Sequence, residues 1–180
     1  MRSLASPDEK TRKDAIYELF GNIWHQGTVY EATIYAVPYL VELLASPETK
    51  EKSSIACLLA SIADGYGYLE VHAQPEAFES DWRSILGKQG KHLETEMANE
   101  LATTNRVREA AKIALPVITP FLRDSEPETR GSVALALSRF PEFADDNLPL
   151  LVDALDKETE SETRNAIREA IDRLKEKETA

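Results

Sequence analysis

Four stretches of this chain repeat one another, so each unit must bury its apolar face against the next. Leu4-Ala5-Ser6-Pro7 returns as Leu44-Ala45-Ser46-Pro47, forty residues later. On that offset Arg12 falls on Lys52, Ala15 on Ile55 and Leu19 on Leu59. A third copy runs Ser125-Glu126-Pro127-Glu128-Thr129-Arg130, followed by Val133, Ala136, Leu137 and Phe140. A fourth runs Ser161-Glu162-Thr163-Arg164, followed by Ile167, Ala170, Ile171 and Leu174. In these two the first apolar residue stands three after the arginine and the others follow it at three, four and seven, which is one face of an α-helix.

Helix starts are marked as well. Ser6 with Glu9, Ser125 with Glu128, and Thr159 with Glu162 have capping-box spacing. Pro7, Pro47 and Pro127 sit near the first turn, where a missing amide costs no hydrogen bond. A second helix type precedes three of the copies: Val37-Pro38-Tyr39-Leu40, Leu115-Pro116-Val117-Ile118 and Leu148-Pro149-Leu150-Leu151. The unit is helix, short acidic loop, helix, and this predicts an all-α stack of antiparallel hairpins.

Proline in the first helix, a Ser/Pro or acidic loop, then a basic residue leading an Ala/Val/Ile and Leu face: this pattern resembles the HEAT-repeat family over 1–64 and 107–176. The resemblance implies a right-handed α-α superhelix, a short solenoid of about four to five hairpins. The second helix of each hairpin then lines the concave side. The expected division is a half-repeat 1–24, a repeat 33–64, a divergent repeat 65–105, a repeat 106–142 and a C-terminal capping repeat 146–178. In the divergent part Phe78, Trp82, Ile85 and Leu86 suggest one helix, Gly87 and Gly90 break it, and Leu93 to Leu101 suggest another. Residues 106–122 read as one first-type helix bent at Pro116, with Pro120 a second candidate bend. The last helix has a charged outer face, as a terminal repeat needs. The first helix lacks an obvious cover: it is either self-capping or an edge that pairs with a second subunit.

Composition narrows the function. The 180 residues carry 32 acidic and 21 basic side chains, a net charge of −11. That excess disfavours nucleic acid, whose binding draws on neutralised phosphates, and for the same reason an anionic membrane. The first ten residues lack the apolar stretch of a signal peptide, so the expected compartment is the cytoplasm. Cys57 is the single cysteine; its spacing beside Leu58 and Leu59 reads as a small buried thiol rather than a nucleophile. His25, His72 and His92 are far apart, and no metal-ligand spacing, phosphate loop or nucleophile elbow is present. His92-Leu93-Glu94 does not match the His-Glu pairing of metal-using helical-repeat hydroxylases. The chain is therefore expected to have no cofactor, no metal and no catalytic residues.

One half stands out. Residues 14–82 hold ten of the thirteen aromatics, with eleven acids and only two bases. Acids beside Tyr and Trp suit a cationic partner. The linker Asn22-Ile23-Trp24-His25-Gln26-Gly27-Thr28-Val29-Tyr30-Glu31-Ala32-Thr33 resembles a segment of uncharacterised bacterial HEAT-repeat proteins. It is either a plug, in which Trp24 and Tyr30 cover the open end while His25 and Gln26 satisfy the loop, or a binding site. The candidate partner-binding residues are Trp24, His25, Gln26, Tyr30, Glu31, Tyr35, Asp64, Tyr66 and Tyr68. The leading expectation is a non-enzymatic protein–protein interaction module for a basic protein, as an inhibitor or immunity-type partner. The alternatives are a HEAT-like lyase or small-ligand protein, and a homodimer built on the N-terminal edge.

Overall fold

The computed structural model describes residues 2–73 and 76–178. A 3-10 turn, Arg2–Ala5, leads into α1 (Glu9–Ile23) and a two-stranded hairpin of β1 (Trp24–His25) and β2 (Thr28–Val29). Then come α2 (Glu31–Ala45), α3 (Lys52–Ala63), the short α4 (Tyr68–His72), α5 (Glu76–Lys88) and the long α6 (Leu93–Ala111). A 3-10 turn, α7 (Leu115–Ile118) and a second 3-10 turn, Thr119–Arg123, follow; α8 (Pro127–Ser138), α9 (Ala144–Lys157) and α10 (Ser161–Glu178) close the order.

Two layers result. One contains α1, α3, α8 and α10, each packed on the next; the other contains α2, the α6–α7 rod and α9. Between them runs a continuous apolar core from Leu4 to Leu174, with Leu40, Ile55, Leu59, Leu137, Phe140 and Ile167 almost fully enclosed. Leu4, on the opening 3-10 turn, is buried in this core and covers the start of α1.

In three of the four copies the basic residue ties down the inter-helix loops. Arg12 donates through Nη1 to the carbonyls of Ser6 and Pro7 (both 3.0 Å) and through Nε to Glu51 in the next loop (2.8 Å). Arg130 repeats this on the Asp124 and Ser125 carbonyls and on both oxygens of Glu158 (2.7 and 2.8 Å). Arg164 turns back to the carbonyls of Leu155 and Glu158. In the second copy the link passes to Ser53, whose hydroxyl donates to Asp124 (2.9 Å). Arg12 and Arg130 therefore reach unsatisfied loop carbonyls and one carboxylate of the neighbouring unit, while Arg164 reaches carbonyls alone.

Three expectations change. The capping boxes do not form. Asp8 is the cap of α1, accepting from Thr11 N (2.8 Å), while Ser6 Oγ takes only the Asp8 amide. Asp124 accepts the Glu126 amide, and Glu158 accepts the amides of Thr159 and Glu160. The helix starts two residues later than the box spacing requires in the first copy and one later in the third, with Pro7 outside α1 and Pro127 at the first position of α8.

The boundary at 105/106 falls inside a helix, because α6 runs unbroken from Leu93 to Ala111. The rod tightens into 3-10 turns around Pro116 and Pro120, which lack the amides that would bond four residues back.

The divergent segment also adds no layer to the stack. α3 packs directly on α8, leaving a half-hairpin and three hairpins, while α4, α5 and the start of α6 form a satellite. Its own small core is Leu69, Ala73, Leu86 and Leu93, with Trp82 and Met97 against it. A helix inserted between two others must bury opposite faces. α5 buries one side, leaving Phe78 53% and Ile85 42% exposed.

Candidate functional site

Helices α3, α8 and α10 each turn a stripe of small and polar side chains away from the core. On α3 it is Cys57, Ser61 and Asp64; on α8, Glu128, Ser132 and Leu135; on α10, Glu162 and Ala166. The spacings of three and four residues put each set on one helix face. Between α3 and α8 these stripes floor an open groove of about 590 Å³, walled at one end by Phe20, Trp24, Gly27 and Tyr66. A second hollow of about 750 Å³ shares Glu128, Ser132 and Leu135 and continues over Gly131 to α10. Together they form one concave channel across the helix layer.

The aromatic wall is a built piece. β1 and β2 pair in antiparallel register, Trp24 with Val29 and His25 with Thr28. The turn between them takes Gln26 to φ 50° and Gly27 to φ 94°, the left-handed pair that a tight two-residue hairpin needs. Tyr66 locks it. Its amide donates to Gly27 O (3.0 Å), its carbonyl accepts from Val29 N (3.1 Å) and its hydroxyl donates to Gln26 O (2.6 Å). A Cβ on Gly27 would stand 2.2 Å from the Tyr66 ring, and one on Gly65 would stand 2.3 Å from Val29. The glycine loops at 26–27 and 65–67 are two halves of one interlock. Phe20 and Trp24 meet edge to face at 5.6 Å beside it.

Electrostatics divide the channel. Asp64 caps α3 and is gripped by Arg139 and Arg173, the latter at 3.2 Å. A carboxylate at a helix C-terminus is disfavoured by the dipole, and two guanidiniums offset this. Asp64 is consequently already satisfied. Glu126, Glu128, Glu160 and Glu162 line the α8–α10 hollow. Among the described residues these four form no ion pair. Cys57 is half-buried with Sγ 3.5 Å from Ser132 Oγ. Burial pushes its thiol up, and the Glu128 carboxylate adds to that, so it is a poor nucleophile.

The nine candidate residues separate into several places. Trp24, Gln26, Asp64 and Tyr66 line the groove. His25 is exposed on the adjoining strand. Tyr30 precedes α2 and is 39% exposed, while Trp24 packs against the core; the hairpin is held by Tyr66, whose hydroxyl donates to the Gln26 carbonyl. Glu31 pairs with Arg106 at 3.1 Å, and Tyr35 is on the solvent side of α2. Tyr68 belongs to the satellite, stacked on His72 at 4.0 Å and edge-on to Trp82 at 5.6 Å. Part of the acidic half is answered from outside it, since Glu31, Glu51 and Asp64 meet Arg106, Arg12, Arg139 and Arg173. Sequence reasoning missed Phe20, Ser61, Glu128, Ser132 and Leu135. The available signal was the small-polar stripe opposite the apolar face of each second helix.

Among the described residues no three His, Cys, Asp or Glu side chains gather as a metal-binding group. No described helix is long and apolar enough to cross a membrane. No curated protein matches the chain. Residues 87–172 match the family model of HEAT repeats. That match covers just under half of the chain, from the end of α5 through the long rod to most of α10, and over those residues the chain is similar to HEAT repeats.

Proposed function

We propose that this chain is a non-enzymatic protein-interaction module that takes a basic segment of another protein into its concave channel. HEAT repeats commonly serve as protein-interaction modules. The observation that carries the proposal is the channel itself, continuous over α1, α3, α8 and α10, with unpaired carboxylates along its second half. A cationic segment gains Coulomb attraction there without displacing an internal partner. Asp64 contributes shape rather than charge, because its two arginines already neutralise it.

Cys57 provides the test, being the single cysteine of the chain and part of the groove floor. Iodoacetamide alkylation of the native protein is followed at about pH 8.5, the ordinary thiol range. Polylysine or polyarginine should slow the reaction about tenfold at saturation; about 0.5 M salt should restore it, and polyglutamate should leave it unchanged. Equal rates with polycation, polyanion and buffer would remove the proposal.

A further inference from the structure

The channel has one place where aromatic faces and a free carboxylate border the same hollow, and this sharpens the proposed function, on which it rests. Phe20 and Trp24 form one wall, Glu128 stands on α8, and Ala60, Ser61 and Ser132 are the small side chains between. The other carboxylate in this groove, Asp64, is held by Arg139 and Arg173. The Gln26 carbonyl is taken by the Tyr66 hydroxyl. Glu128 is thus left as the acceptor for an incoming donor, and it lies close enough to the groove floor to act on the Cys57 thiol.

We infer that the partner's segment seats an arginine here, its guanidinium plane against the Trp24 ring, with Phe20 standing perpendicular beside it, and its N–H groups toward Glu128. Lysine offers a compact, strongly hydrated charge, whereas arginine offers a planar, weakly hydrated one that stacks on rings and meets a carboxylate with two donors. An edge-to-face ring pair beside a carboxylate suits the second. The small floor residues leave room for the three-carbon stem. Beyond this pocket the channel runs toward Glu160 and Glu162, so neighbouring basic residues of an extended segment have further acids to meet.

The test uses three alternating peptides, glycine–arginine, glycine–lysine and glycine–citrulline, with the full chain. Cys57 alkylation reports occupancy, and Trp24 fluorescence in a Trp82→Phe background reports ring contact. The arginine peptide should bind about fivefold more tightly than the lysine peptide, the difference expected for stacking at a part-exposed site. The citrulline peptide should not protect Cys57. Glu128→Gln should weaken the arginine peptide about fivefold and erase most of the preference. Glu128 is exposed, so that variant keeps the fold, and a matching far-UV spectrum checks it. Equal protection by the arginine and lysine peptides, or an unchanged preference in Glu128→Gln, overturns the arginine assignment while the basic-partner proposal stands. No protection by either basic peptide overturns both.

Discussion

Glu158→Ala destabilises the protein by roughly 3 kcal/mol at neutral pH, and the loss disappears on acidification. Glu158 has its side chain almost fully enclosed at the loop between α9 and α10, where both oxygens meet Arg130 and one also receives the Thr159 and Glu160 amides. The Arg130 hydrogen bonds, aided by those two amides and against burial, hold its carboxyl down at about 2 rather than the usual 4.5. That interval corresponds to roughly 3 kcal/mol of preference for the ionised form in the folded state, and removing one partner of an enclosed pair costs a similar amount. For a chain of this size the melting temperature should fall by about 6–12 °C. Because the folded value is the depressed one, this stabilisation is complete above the ordinary carboxyl range. It fades as pH drops from about 4.5 toward 2. Urea melts of wild type and variant at neutral pH and near pH 2 should differ widely in the first case and little in the second. A gap that persists undiminished at low pH would show that packing, not the ionised carboxylate, is responsible.

Gly27→Val should open the aromatic wall. The residue stands at φ 94°, where a β-branched side chain is strained, and its Cβ would enter the Tyr66 ring at 2.2 Å. Backbone strain of about 1–3 kcal/mol is joined by the loss of the Tyr66 contacts to Gln26 and Gly27. The expected destabilisation is roughly 3 kcal/mol, with faster amide exchange at Val29 and Tyr66 and with Trp24 more accessible to quenchers. Gly21→Ala is the matched control. Gly21 lies within α1 with nothing within 4 Å of a Cβ, and alanine there should stabilise by about 0.5–1 kcal/mol. Combining Gly27→Ala with Tyr66→Ala separates the causes. The collision is relieved in the double variant and the positive φ is not, so the two effects should add to less than their sum. Strict additivity would deny the interlock.

What could be read directly from residues was whatever a local period writes. The spacing of Val133, Ala136, Leu137 and Phe140 behind Arg130, and of Ile167, Ala170, Ile171 and Leu174 behind Arg164, defines a buried face, because 3.6 residues per turn leave no other way to cover it. The recurring basic residue marked the loops for the same reason, since its carbonyl partners lie five and six residues away on the same chain.

The remainder was settled by contacts between segments far apart in sequence. The length from Pro38 to Pro116 permits another repeat, yet α3 packs on α8 and the intervening residues stand aside, because a one-faced helix such as α5 cannot sit between layers. The charge excess of residues 14–82 is real, but Asp64 finds Arg139 and Arg173, 75 and 109 residues away, and Glu31 finds Arg106. Among the described residues, Glu126, Glu128, Glu160 and Glu162 around the α8–α10 hollow stay without an ion pair. Composition counts charges without pairing them. Only folding brings distant helices within the few ångströms over which one side chain neutralises another, and so decides which charges remain for a partner.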